Sequence, residues 1–412
     1  MIYLDHAAAT PVSKKALAKM LPYFSDEFFN PSSPYLPAAH LRQNYEFAKG
    51  QIAHTIGAKG NDIVITAGAT ESINLAFTAA EGLSGNILIL ETEHPSVRAT
   101  ARALVENSAK GGKSPLELRE IKVDKTGLID LDDLRQKIDE NTIFISVSLA
   151  NNELGTIQPL AEISEIIEKE RSHRLELVKD KKPTSVLPII LHSDASQALN
   201  LVDISVARLG VDLLTINAAK VGGPKGVGAL YVGRGIKLNP IIVGGGQEAG
   251  LRSGTENVPG VMGFAVAAEE TKEHLAGNRK KYEKFAQILK NKLQESPIEP
   301  LFLGNKKHQL ANFVPVCFPG IDAERIIYKL EEKQVYLSTG AACAANKGAK
   351  SHVLTAIGLT DSEIAGSLRI SLGVLNTEEN VKKAGELIVQ AVSEEFARVS
   401  GDQAQKQESK NA

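Results

Sequence analysis

The sequence predicts an α/β fold, a mostly parallel central sheet flanked by helices, with a smaller α+β unit at its C-terminal side. Two observations carry this. Between about residues 60 and 235, short apolar runs alternate with helix-like stretches, and parallel strands require such helical crossovers. Beyond residue 261 the pattern becomes one long amphipathic helix followed by isolated strands and helices, which marks a separate packing unit.

Taken in order, the apolar runs of the first part are DIVIT, NILILET, TIFISVSL, PIILHSD, VDLLTIN and GALYVG. Helical patterns follow the first two, as ESINLAFTAA and a stretch from Pro95. The second part reads as a helix over about 261–295, a strand FVPVCF, a helix from Ala323, a strand QVYLST and a last helix from Thr377. The expected division is a large unit over 13–260 and a small one over 1–12 plus 261–399, with 400–412 a disordered tail. Residues 171–186, rich in charge between a helix and a buried strand, read as a surface loop.

At 412 residues, 43% hydrophobic and 23% charged, the chain can bury one large core and a smaller one. A formal net charge of -2 with basic residues dispersed along the chain argues against direct nucleic-acid binding. No apolar run approaches the roughly 18 residues that cross a bilayer. The cysteines are Cys317 and Cys343, and the start MIYLDHAAAT lacks the charged and apolar segments of a secretory signal. A reduced, cytoplasmic protein acting on a small molecule is the expectation. No His or Cys pair has metal-ligand spacing, so no metal is expected.

Four constellations carry chemistry, all placed just after strand ends, where ligands collect at the carboxyl edge of an open sheet. In TAGATESINL, Ala69 and Thr70 open a helix after a buried strand; its free amides favour a phosphate, although turns of this composition also occur without a ligand. In HSDASQAL, Asp194 ends an apolar run and Gln197 follows three residues later. A carboxylate there either meets a cation, such as a protonated ring nitrogen, or simply caps the next helix. His192 beside it reads as a core residue.

In DLLTINAAKVGGPKGVGALYVG, Lys220 lies three residues past a strand, where apolar walls can keep an amine reactive. Lys225 is its rival, set deeper in the glycine turn. No Gly-Lys-Ser or Gly-Lys-Thr occurs in this stretch, which rejects a nucleotide phosphate loop. In STGAACAANKGAKSHVL, Cys343 has small neighbours that suit an exposed, travelling thiol. Cys317, inside FVPVCF, reads as packed core instead, and His352 as a capping or packing residue.

In order along the chain, YLDHAAATPV, NPSSPY, GATESIN, TEHPSV, VSLANNELGTIQP, HSDASQA, AAKVGGPKGVGALYVGRG, GGGQEAGLRSGTEN, STGAACA, SHVLTAIGL and SLRISLG resemble the cysteine desulfurases. These are NifS/IscS-like members of the class V aminotransferase group of fold-type I pyridoxal-phosphate (PLP) enzymes. The resemblance implies a PLP-dependent transferase fold, pyridoxal 5'-phosphate as cofactor and L-cysteine as substrate. It implies that Lys220 carries the cofactor as a Schiff base, Asp194 pairs with its ring nitrogen and His94 stacks on its ring. Gln197 and Asn152 would hold the ring oxygen, with Asn152 also near the substrate. Ala69, Thr70 and Asn217 would bind the phosphate, and Thr255 would reach it from the other subunit of a homodimer.

By the same resemblance Arg369 would grip the substrate carboxylate, a task that suits arginine's planar fork. Cys343 would take the sulfur as a persulfide, leaving alanine. Seven residues separate Cys343 from Ser351, similar to the long-loop branch that feeds iron-sulfur cluster assembly and tRNA thiolation through a sulfur-acceptor protein.

The chain departs from the family pattern Ser-x-His-Lys, reading Asn217-Ala218-Ala219-Lys220. Asn217 can still donate through its amide, whereas the methyl of Ala219 can neither donate nor accept. Weaker cofactor retention or altered proton transfer is the expected consequence. Position 6 is His6 where asparagine is expected, and Tyr35 follows NPSSP where histidine is common. The alternatives are selenocysteine lyase, another aminotransferase-like enzyme, or a catalytically weakened scaffold that binds sulfur-acceptor proteins.

Overall fold

The computed structural model describes residues 1–110, 115–177, 189–340 and 350–411. Its strands in chain order are β1 (Ile2–Tyr3), β2 (Ile63–Thr66), β3 (Gly85–Leu90), β4 (Leu116–Ile121), β5 (Thr142–Ser146), β6 (Ile190–Asp194) and β7 (Leu213–Asn217). They continue as β8 (Gly228–Val232), β9 (Leu301–Phe302), β10 (Phe313–Cys317), β11 (Val335–Tyr336), β12 (Ser338–Thr339) and β13 (Ser367–Ser371).

The main sheet runs β2-β8-β7-β6-β5-β3-β4. Its β4-β3-β5-β6-β7 portion is parallel, and β8 with β2 add an antiparallel edge. The α/β expectation therefore holds. Strand β5 is buried along its whole length and β6 up to its last residue, because helices cover both faces of such a sheet and its strands read as continuous apolar runs. Asp194 and Asn217 end β6 and β7, so the parallel register delivers both side chains to one edge.

A second, antiparallel sheet runs β12-β13-β10-β9, and β1 pairs with β11 in parallel. The segment after β1 then runs along β13, with a bridge between Asp5 and Ser371. The run QVYLST, read as one strand, is two: β11 pairs with β1, while β12 pairs with β13. Leu337 between them is buried, and the chain changes sheets there.

The long helix spans Val258–Leu293 and starts before the expected residue 261. Pro259 lies in its first turn and Asn257 caps it by accepting from the Gly260 amide at 3.1 Å, so the start is preorganised upstream of the apolar period. It packs on the helices Lys14–Met20, Leu36–Thr55 and Glu378–Asn411.

Two expectations need correction. Residues 171–177 belong to the helix Leu160–Leu177 and are no loop; the rest of that charge-rich segment, 178–186, lies outside the described residues. Arg171 bonds the Ile189 carbonyl and pairs with Asp212, and the buried Arg174 donates to the Thr142 carbonyl at 2.9 Å. These charges tie the helix to the ends of β5 and β6, which a count of charged residues misreads as a solvated loop. The C-terminal segment 400–411 is likewise helix and not a disordered tail. Beyond Gly401 it consists largely of Ala, Gln, Glu and Lys, strong helix formers with no breaker among them.

Candidate active site

A cavity of about 290 Å³ opens at the carboxyl edge of the main sheet. Ala69, Thr70, His94, Asn152, Asp194, Gln197, Asn217, Lys220 and Arg369 all line it. Residues separated by up to 300 positions in sequence thus meet on one space, close to the lower end of the size range of small-molecule sites.

The phosphate-type corner is built by β2 and the helix Ala69–Phe77. Gly68 precedes the helix at φ +146°, a conformation L side chains rarely adopt. Strand β8 passes so close that a Cβ on Gly228 would lie 2.7 Å from the Gly68 backbone. The helix start is thereby pressed onto the sheet, with its first amides unpaired within the helix. Asn217 accepts from the Ala219 amide at 3.2 Å and caps the short turn Ala218–Lys220, which leaves its amide nitrogen as a donor to the cavity.

Lys220 donates to the carbonyls of Ala7 and Ala8 at 2.8 and 2.6 Å, and Gln197 donates to the Ala7 carbonyl at 2.9 Å. The N-terminal segment therefore forms part of the wall. Ala219, where the family pattern has histidine, faces a neighbouring cavity with Thr70, Lys225 and Gly226. Its carbonyl is engaged by the amide and hydroxyl of Thr10 at 3.1 and 3.0 Å.

Asp194 accepts from the Ser196 amide at 2.9 Å while lining the cavity; a turn follows it and the next helix starts only at Val206, so it caps no helix. His94 bonds Ser96 at 2.7 Å. Burial lowers its pKa first, Asp194 opposes that, and Lys220 and Arg369 reinforce it. A neutral ring presents its face better to a flat, electron-poor partner than an imidazolium does.

Sequence reasoning missed the support beneath these residues. Glu93 is fully buried, accepts from the Ser148 amide at 2.6 Å and from the Ser148 hydroxyl, and has its pKa pushed up to about 8 by burial. It fixes Ser148, a cavity residue, from behind. Glu153, half-buried, accepts from Ser351 at 2.6 Å, and desolvation pushes it up to about 7. Ser351 caps the helix His352–Ala356 and His352 contacts the Glu93 carbonyl at 2.8 Å, so Ser351 and His352, shortly after the 341–349 segment, are both tied to acids beside the cavity. Only Glu93's place before His94 in TEHPSV hinted at this.

Thr255 does not join the group within its own chain. It lines a separate cavity of about 170 Å³ with Tyr45, Thr66 and Glu248. Its loop is anchored where Glu248, left-handed at φ +50°, accepts from Tyr45, Lys49 and the Ile65 amide at 2.6 to 2.9 Å. Arg252 pairs with Glu71 at 2.9 Å, tying the loop to the phosphate-type helix. Cys343 lies outside the described residues. Cys317 is buried in β10 with its thiol pushed up to about 11 by burial, and His192 sits buried between Ser146 and Thr215, both core residues. No metal-binding cluster occurs among the described residues.

The Aminotransferase class-V family matches residues 2–384. "Cysteine desulfurase IscS 1" of Archaeoglobus fulgidus is 40% identical over 394 residues, covering 94% of this chain and 96% of that protein. "Cysteine desulfurase IscS" of Methanosarcina thermophila is 37% identical, with 95% and 92% covered. The chain belongs to the cysteine desulfurase family. Among solved structures, a "NIFS-LIKE PROTEIN" superposes with a TM-score of 0.84 at 32% identity, covering 95% of this chain and 99% of that one. "SspA in complex with cysteine" superposes with a TM-score of 0.75 at 32% identity, over 90% and 99%.

Cysteine desulfurases depend on pyridoxal phosphate, and the cavity fits that group. Its donors suit a phosphate, Asp194 suits a ring nitrogen, Lys220 supplies the amine, and the buried Ser196 hydroxyl has no partner among the described residues. No described helix is long and apolar enough to cross a membrane.

Proposed function

We propose that this chain removes sulfur from L-cysteine, giving L-alanine and a persulfide on Cys343. One observation carries the reading: Lys220, Asp194, His94 and Arg369 converge on a single cavity with the phosphate-type donors of Ala69, Thr70 and Asn217. When bound, pyridoxal phosphate supplies the electron sink that lets bonds at the substrate's α- and β-carbons break. Lys220 holds the cofactor, Asp194 keeps its ring nitrogen protonated, and Asn152 and Gln197 address its ring oxygen.

Arg369 would orient the substrate by its carboxylate, and the neutral His94 would accept or pass protons in the same cavity. The thiolate of Cys343 attacks the substrate sulfur. An S–S bond forms as the Cβ–S bond breaks, and a proton completes the carbon skeleton as alanine. The exchange balances without an oxidant: Cβ–S becomes Cβ–H, and the S–H of Cys343 becomes S–S.

The same proposal includes a homodimer in which Thr255 serves the partner's phosphate site, a cytoplasmic location, and passage of the persulfide to an acceptor for iron-sulfur assembly or tRNA thiolation. It also divides the chain into units 13–260 and 1–12 plus 261–399. The test is alanine and sulfide release from L-cysteine under reductant. Cys343→Ala is expected to lose release while keeping the bound cofactor; undiminished release in that variant would remove the persulfide route.

A further inference from the structure

Arg369 lies in the middle of β13 and is 5% exposed. A guanidinium at that depth is costly unless its charge and its N–H groups find partners. Its ion pair is with Asp5, Nη2 donating to Oδ1 at 2.7 Å. The rest of the fork is poorly met: Nη1 lies a long 3.4 Å from the Asn152 carbonyl, and the buried Nε has no acceptor among the described residues. Thus one corner is pinned, while the other edges await an acceptor on the cavity side.

Asp5 is itself held rigidly. The Leu4 amide bonds the Tyr336 carbonyl at 2.7 Å, the Ala7 amide bonds the Ser371 hydroxyl at 2.8 Å, and the Tyr3 hydroxyl bonds the Asp5 carbonyl at 2.8 Å. The backbone bridge from Asp5 goes to Ser371, two residues beyond Arg369 on the same strand. Both partners of the ion pair are therefore carried on one β-structured support. Glu153 is the other carboxylate that acts on Arg369, but its own hydrogen bond goes to Ser351 at 2.6 Å.

We propose that Asp5 is a positioning residue for substrate recognition: it pins Arg369 by one corner and leaves the remaining N–H groups to grip the α-carboxylate of an amino-acid substrate. This rests on the desulfurase reading for the identity of the amino acid, L-cysteine, but not for the presence of a carboxylate. The pin fixes the plane of the fork, and bidentate recognition depends on that plane.

The test compares L-cysteine with cysteamine, the same thiol amine without the carboxylate, by the concentration that gives half of the visible spectral change of the cofactor-loaded protein. Asp5→Ala is expected to raise that concentration about 10-fold for L-cysteine, the loss of roughly one charge-assisted bond, and to leave cysteamine within about 2-fold. Asp5→Asn, which keeps an acceptor but not the charge, should fall between parent and Asp5→Ala. A parallel rise for both ligands would reduce Asp5 to a general structural role and overturn the proposal. So would no change, tighter L-cysteine binding in Asp5→Ala, or a parent that does not distinguish the two ligands. If the parent makes no alanine yet Asp5→Ala erases its preference for the carboxylate, the desulfurase reading falls and the role of Asp5 stands.

Discussion

The cavity has two walls built in different ways. One belongs to the main sheet, where Asp194 and Asn217 end strands and Thr70 sits in the first turn of the helix after another strand. The other is Arg369 in the centre of an antiparallel strand, oriented by Asp5 from the opposite end of the chain. In the proposed function the first wall handles a cofactor through local backbone geometry, and the second a substrate through a contact between residues 364 positions apart. Binding of cofactor and binding of substrate should therefore be separable by mutation.

The largest expected effect falls on the first wall. Asp194→Asn should lower turnover by about 10²-fold or more, the scale of removing one preorganised electrostatic partner, with little change in half-saturation by L-cysteine. Steady-state kinetics would check this, and equal losses in both parameters would blur the two walls. On the second wall, Arg369→Lys should raise half-saturation by about 10-fold or more, since an ammonium cannot reproduce a bidentate fork. Its visible cofactor band should remain, as measured by absorbance; loss of the band would show that Arg369 also holds the cofactor.

The smallest effect concerns the sheet interior behind the first wall. Burial lowers the pKa of His192 to about 3 from 6.5. Below pH 6.5 the unfolded chain takes up a proton that the folded chain refuses, so this residue's contribution falls as pH drops from about 6.5 toward about 3. Glu93 and Glu153, raised to about 8 and about 7 by burial, act in the opposite sense, since the folded chain holds their protons at pH values where the unfolded chain has released them. A comparison with His192→Gln isolates the histidine. The stability difference between parent and variant in denaturant titrations should shift in favour of the variant on going from pH 7 to pH 4. A constant difference would mean His192 is not held neutral.

The same contrast explains what was legible. The parallel sheet could be read because fully buried strands are short apolar runs and their crossovers are helical. The first wall could be read because its polar residues sit directly after those runs. Arg369 was placed by resemblance alone, and nothing local in SLRISLG says that its fork is pinned by Asp5. Lys220's contacts with the Ala7 and Ala8 carbonyls were equally hidden, because main-chain acceptors leave no mark in residue identity. Glu93 and Glu153 escaped for a different reason: a supporting acid is recognisable only once its hydrogen-bond donors, Ser148 and Ser351, are seen beside it. The misread charges of 171–177 show the converse, since Arg174 is buried and satisfied by carbonyls at the end of a strand.

In the proposed function the amine of Lys220, and not that of Lys225, holds the cofactor in this cavity. The direct measurement is the visible absorbance of purified protein after addition of pyridoxal phosphate and removal of the excess, for the parent, Lys220→Ala and Lys225→Ala. The parent and Lys225→Ala are expected to be yellow, and Lys220→Ala to lack that band. A colourless parent, or a band that survives in Lys220→Ala and vanishes in Lys225→Ala, would contradict it.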